Sequence, residues 1–305
     1  MTVTANPTSD PTALDFINLF ERQSGTHAGV RKAHAKGICL SGTFTPESNN
    51  YSDSPIFTEE SKILLRFSLG GGNPSLSDNA GGPRGAAVRF FASDGSVHNI
   101  AGLTVPLFAG STPADFFTLL ELSEPGPDGT VDQQALSEYV ASVPAIAARS
   151  VWMATHNAPS SYASANYYGV HTFFFMKGDK RQKFRWTLLP DGGERLLEDG
   201  ESLTDDQYRT ELETALASDY IEFNWEAQIG TDEDTDVDPG QLWPEERPRI
   251  NLGKMTIQSF ADNQCDAFTF DPVQVTSGFA ISDDPVLMMR SAAYAISYGK
   301  RLSGN

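Results

Sequence analysis

Apolar and polar positions along this chain follow two different periods. TALDFINLFERQSG (12–25) sets Leu14, Ile17, Leu19 and Phe20 near helical spacing, which predicts a short amphipathic helix. From KGICLSGTFTP (36–46) the pattern changes to short apolar runs. KILLRFSL (62–69), AAVRFFAS (86–93) and GLTVPLFAG (102–110) are separated by Gly, Pro, Asn and Asp clusters and read as strands. A helical region is expected over 113–150, where PADFFTLLEL and DQQALSEYVASVPAIAARS flank the turn signal EPGPDG. Strands resume at GVHTFFFMK (169–177) and KFRWTLLP (183–190), with GDKRQ between them as a hairpin turn. DDQYRTELETALASD (205–219) predicts a further helix, and YIEFNWEAQI (220–229) alternates as a half-buried strand does. LGKMTIQSF (252–260) adds a strand, and the chain closes on a helix within MMRSAAYAISYGKRLSGN (288–305). GGGNPSLSDNAGGPRG (70–85) reads as a glycine-rich connection, and TDEDTDVDPG (231–240) as a solvated acidic turn. Many antiparallel-looking strands with helices between them, and no internal repeat, predict one α+β domain on an antiparallel sheet or barrel. That domain spans residues 13–305, after a disordered segment at 1–12.

Charge narrows the partners. The net charge of −18 repels phosphate backbones and anionic lipid, so neither nucleic acid nor a membrane surface is expected. The start of the chain has no basic stretch followed by an apolar one, and no segment is long enough to span a bilayer, which points to the cytoplasm. Cys39 and Cys265 are accordingly read as two reduced thiols. The five histidines, His27, His34, His98, His156 and His171, show no metal-ligand spacing. There is no G-x-S-x-G stretch, and GGGN (70–73) lacks the Lys-Ser/Thr of a phosphate loop.

The terminal helix carries the first chemical signal. Arg290, Tyr294 and Arg301 fall within an arc of roughly 40° at 3.6 residues per turn. Ala292, Ala293 and Ala295 keep the neighbouring surface low, so a flat partner could lie against it. A cation within about 4–6 Å of a phenol favours phenolate, a hard anionic ligand suited to ferric iron.

VRKAHAKGICLSGTF (30–44), LLRFSL (64–69), NIAGLTVPLF (99–108), YGVHTFFF (168–175), TFDP (269–272) and RSAAYAISYGKR (290–301) supply the rest. In this order they resemble the haem catalases over roughly residues 14–303. The resemblance implies an antiparallel β-barrel with inserted and flanking helices. It also implies haem b, ferric iron protoporphyrin IX, as cofactor. Tyrosine is the established haem ligand of catalases, and Tyr294 matches it. Arg290 matches the arginine that keeps the phenolate anionic. His34 matches the distal acid–base histidine, and Ser68 the serine that steadies its far nitrogen. Arg31, Arg66 and Arg301 match the propionate-binding arginines, and Phe116 the aromatic packed over the haem. Arg84 and His171 also fall in matched stretches and are read as structural.

The chain departs from that pattern in two places. Leu103 stands where catalases carry a distal asparagine, and Asn99 lies four residues away. The long N-terminal arm and the C-terminal helical domain of catalases have no counterpart. What remains is similar to the small catalase-related peroxidases. The resemblance therefore implies a haem peroxidase that reduces hydrogen peroxide or organic hydroperoxides with a small organic reductant. Weak catalase activity and a homodimer are expected with it. Two other functions are weighed against this one. An allene-oxide-synthase-like enzyme would rearrange hydroperoxides, but those enzymes carry threonine before the histidine, where Ala33 stands here. A non-enzymatic haem-binding protein would have no use for His34 and Ser68.

Overall fold

The computed structural model describes residues 10–48 and 50–304; the disorder expected for 1–12 therefore lies largely outside the described residues. Thr12 is already ordered. Its hydroxyl accepts from Asp15 N while Asp15 caps Thr12 N in return, and this capping box starts α1 (Ala13–Ser24).

Eight strands close a barrel. In chain order they are β1 (Gly37–Pro46), β2 (Ser61–Leu69), β3 (Arg84–Phe91), β4 (Val97–Leu103), β5 (Tyr167–Tyr168), β7 (Lys180–Pro190), β8 (Ile221–Ile229) and β9 (Arg249–Phe260). Antiparallel neighbours run β7-β5-β4-β3-β2-β1-β9-β8, and β8 pairs back to β7 to complete the ring. The short strands β6 (Phe173–Lys177) and β10 (Phe279–Ile281) extend one edge at β7. Strand alternation fills the interior: Ile63, Leu65 and Phe67 of β2 join Phe44, Phe90, Trp186 and Trp225, all buried. Each such side chain contributes about 1.5–3 kcal/mol when removed from water.

Outside the barrel lie α2 (Pro113–Leu122), α3 (Gln133–Ser142), α4 (Pro144–Thr155), α5 (Gln207–Ser218) and α6 (Pro285–Ser303), the last packed on α1. Asp284 caps α6 through Val286 N and Leu287 N, Pro285 sits at its first position, and Gly304 ends it at φ 75°.

Four expectations need correction. Strand β4 covers 97–103, not 102–110. Thr104–Phe108 is irregular although Val105 and Leu107 are buried, and Pro106 has no N–H to give a ladder. The strand itself begins with polar His98 and Asn99, both buried. The acidic turn at 231–240 is only partly solvated: Asp234 is buried and paired with Arg247 at 2.9 Å. Helix α6 starts at Pro285, before the expected boundary. Most consequentially, Cys39 and Cys265 are joined in a disulfide, not reduced. Pairing of β1 with β9 brings their Cα atoms to 5.8 Å across a separation of 226 residues.

Candidate active site

The outer face of the β1–β4 wall holds one half of the site. Because side chains alternate, Arg66 and Ser68 of β2 point away from the core that Leu65 and Phe67 fill. One transverse row reads Gly37–Ser68–Gly85–Leu103, and the row beside it reads Cys39–Arg66–Ala87–Ala101. Small residues dominate these rows, so the wall is low there. His34 lies over it. A Cβ on Gly85 would come within 3.1 Å of the His34 ring and 3.0 Å of Ser68 Oγ, so glycine is needed for the ring to sit this close.

His34 has φ 54°, in the left-handed region that a non-glycine residue enters at a cost of about 1–3 kcal/mol. Neighbours hold it in place. Its Nδ1 lies 3.0 Å from Ser68 Oγ, and Arg66 donates to the carbonyls of His34 (2.9 Å) and Ala35 (3.0 Å). Burial, then the positive charges of Arg66 and Arg290, lowers the His34 pKa to about 4; a hydrogen bond to the Leu69 backbone acts in the opposite direction. The imidazole is thus neutral across the ordinary pH range, able to accept a proton.

The other half stands on α6. Arg290 Nη2 donates to Tyr294 Oη at 3.0 Å, and both side chains are half-buried. The loop carrying Arg31–His34 docks on the same helix, where Lys32 N donates to Ser297 Oγ at 3.3 Å. Arg290 contributes to the electrostatics of His34, and Tyr294 to those of Arg31 and Arg66. Arg31, His34, Arg66, Arg290 and Tyr294, from distant parts of the chain, therefore lie close enough to act on one another.

Arg31, Arg66 and Arg301 test whether that space suits haem. Arg31 donates to Cys265 O at 2.6 Å, and Arg301 to Asp266 O at 2.9 Å and Phe268 O at 3.1 Å. Asp266, itself largely exposed, is the carboxylate beside them, at 3.8 and 3.9 Å. Burial, then the neighbouring charge of Arg31, pushes the Arg66 pKa down to about 9. Arg301 Nη1 is buried without a hydrogen-bond partner among the described residues. A cluster this cationic and this buried needs anions, and two propionates would meet that need. The residues fit the group.

Phe116 is placed differently. It lies on α2 in an aromatic group with Phe16 (5.8 Å between centroids) and Phe108 (4.9 Å); Phe108 in turn reaches His171 at 6.3 Å. Arg84 is buried and structural, bonded to Tyr208 Oη and to the carbonyls of Gly82 and Asp78.

His171, expected to be structural, lies buried at the start of α6. Its Nδ1 pairs with Asp284 Oδ2 at 2.6 Å, its Nε2 is buried without a partner among the described residues, and Arg290 is among the charges acting on it. Burial lowers its pKa, and Asp284 opposes that. The two are 113 residues apart in sequence, so no local motif could have joined them.

The catalase family profile matches residues 8–305. The chain is similar to the catalase-related peroxidase of Synechococcus elongatus, with 30% identity over 298 residues, covering 94% of this chain and 88% of that protein. It is 32% identical to the catalase-related peroxidase of Mycolicibacterium paratuberculosis over 290 residues, 92% of each. The crystal structure of a fungal catalase superposes with a TM-score of 0.80 at 21% identity, covering 98% of this chain and 66% of that one. The chain thus spans about two-thirds of that catalase's length.

The chain belongs to the catalase family, a family of haem-dependent oxidoreductases that act on peroxide.

Proposed function

We propose that this protein is a haem peroxidase that reduces hydrogen peroxide or organic hydroperoxides with an organic electron donor, and that its catalase activity is weak. The observation that carries this reading is the pairing of Arg290–Tyr294 on α6 with His34–Ser68 on the barrel wall. Similarity over most of their length to two proteins named catalase-related peroxidases supports it.

In this reading Tyr294 holds the iron, Arg290 stabilises its phenolate, and Arg31, Arg66 and Arg301 hold the propionates. When bound, the haem supplies a redox iron able to take both oxidising equivalents of a peroxide. His34 does the proton work. With Nδ1 donating to Ser68, Nε2 takes the proton from one peroxide oxygen and returns it to the other, which leaves as water or alcohol. Phe116, with Phe16 and Phe108, makes the approach apolar. Leu103, one strand from Gly85 in the same row, has no group to orient a second peroxide as reductant. An organic donor therefore supplies the two electrons.

The cofactor is haem b in this proposal. Among the described residues no cysteine is free to attach a haem covalently. No helix among them is long and apolar enough to cross a membrane. The Cys39–Cys265 disulfide favours an oxidising compartment over the expected cytoplasm. Residues 13–305 act as one domain, since α6 completes the site on the barrel wall, and the assembly proposed is a homodimer.

The test is the visible spectrum of the purified protein and of Tyr294→Phe. A ferric high-spin haem spectrum, altered or lost in the variant, is expected. An identical spectrum in both would refute the assignment.

A further inference from the structure

The segment that backs the arginine cluster has no strand partner of its own. Residues 262–267 form a 3-10 turn after β9, and Asp262 within it has φ 42°. Its carbonyls, with that of the following Phe268, receive what Arg31 and Arg301 donate, while Arg66 donates to His34 O and Ala35 O. Cys265 O accepts from Arg31, Asp266 O and Phe268 O accept from Arg301, and Ala267 O accepts from Tyr298 Oη at 2.7 Å. Three of these four consecutive carbonyls, those of Cys265, Asp266 and Phe268, are therefore the backstop for two of the three arginines facing the haem space.

The chain enters this turn directly from β9, and the Cys39–Cys265 disulfide adds a second covalent tie, to β1. Cys39 is the cross-strand partner of Arg66, the third arginine of the cluster. Cys39, Cys265 and Leu64 pack with Ala261 and Phe270 into a small apolar cluster separate from the barrel core. Ala261 N donates to Cys39 O at 2.9 Å, and the Arg89 guanidinium lies 3.9 Å from the Phe268 ring centre. Beyond these contacts the disulfide joins the wall bearing Arg66 to the turn positioning Arg31 and Arg301.

We propose that the Cys39–Cys265 disulfide is a positioning crosslink for the haem-propionate cradle. It holds the carbonyls of residues 265–268 at the distance at which Arg31 and Arg301 are aimed into the site. Opening it lets the turn move outward, the two arginines follow their acceptors, and haem is retained less well. This rests on the reading that those arginines bind propionates.

The experiment uses haem-loaded full-length protein and two forms with the disulfide open: the Cys39→Ala/Cys265→Ala double variant, and wild type reduced with a phosphine, its thiols verified by alkylation and mass. The reduced wild type stands in if the variant does not fold. Haem transfer to excess apomyoglobin gives the retention rate, and amide exchange by mass spectrometry reports on residues 262–268. Transfer is expected to accelerate about tenfold, with faster exchange in 262–268 and unchanged exchange in β2 and β3. Unchanged transfer with the bond open overturns the proposal, as does exchange that rises uniformly across the barrel, the mark of a merely structural crosslink. Arg31→Ala and Arg301→Ala are run alongside. If they retain haem as wild type does, the propionate reading fails; if they lose it while the open-disulfide forms do not, the crosslink proposal alone fails.

Discussion

Residue 103 illustrates how much one side chain can change a pocket whose other parts are kept. Leu103 shares a transverse row with Ser68 and Gly85, the two residues that lie against the His34 ring. Asn99 cannot take its place: its amide is spent on Arg89, Gln274 and Asp271 O, two repeats of the strand alternation away. Introducing a hydrogen-bonding group at the row itself should therefore alter the reaction. Leu103→Asn is expected to raise oxygen release from hydrogen peroxide by about tenfold, roughly one hydrogen bond's worth of orientation. An oxygen electrode measures it, and a variant with unchanged oxygen release would show that Leu103 does not limit that activity. The local motifs around His34, Ser68 and Tyr294 made these residues legible in sequence. The pairing of His171 with Asp284 was not legible in the same way, because only the fold places the two side by side.

Among the elements, α6 has the most to do. Its N-cap, Asp284, uses Oδ1 for the helix amides and Oδ2 for His171, so one carboxylate both starts the helix and ties it to the strand-edge side of the barrel. Asp284→Ala removes a cap worth about 1 kcal/mol and orphans a buried imidazole nitrogen at a cost of about 1–3 kcal/mol. A loss of about 2–4 kcal/mol in urea unfolding is expected, together with a shifted haem spectrum as Arg290 and Tyr294 lose their register. A stable variant with an unaltered spectrum would separate Asp284 from the site. Strand β4 shows the opposite case, an element poorly read from its own residues. Its buried His98 and Asn99 look like loop chemistry, and the apolar TVPLF that follows looks like strand. Partners decided the matter: Thr276 N donates to His98 Nδ1, and Gln274 and Asp271 satisfy Asn99.

At the scale of the molecule, burial of histidines sets an acid limit. His34 is depressed from 6.5 to about 4 and His98 to about 3, in both cases chiefly by burial. As pH falls below 6.5 the unfolded chain takes protons that the folded chain refuses, so stability present above that value is lost on the way down to those lowered values. Urea midpoints at pH 7 and about pH 5 should differ, with the lower at the acid pH, before most carboxylates begin to titrate. Equal midpoints would mean that these rings are less buried than described. Peroxide reactivity should persist over the same interval in the fraction that remains folded, because His34 stays neutral until about pH 4.

By itself the sequence determined the alternation that makes the barrel strands, the Thr12–Asp15 capping box that starts α1, and the short motifs holding His34, Ser68, Arg290 and Tyr294. All of these are local: each depends on residues within a turn or a strand of one another. Only the tertiary structure decided that Cys39 meets Cys265, that His171 meets Asp284, that β8 closes on β7, and that Leu103 stands beside Gly85. Those pairings span long stretches of chain. Their geometry is set by barrel closure and strand register, which no single segment carries.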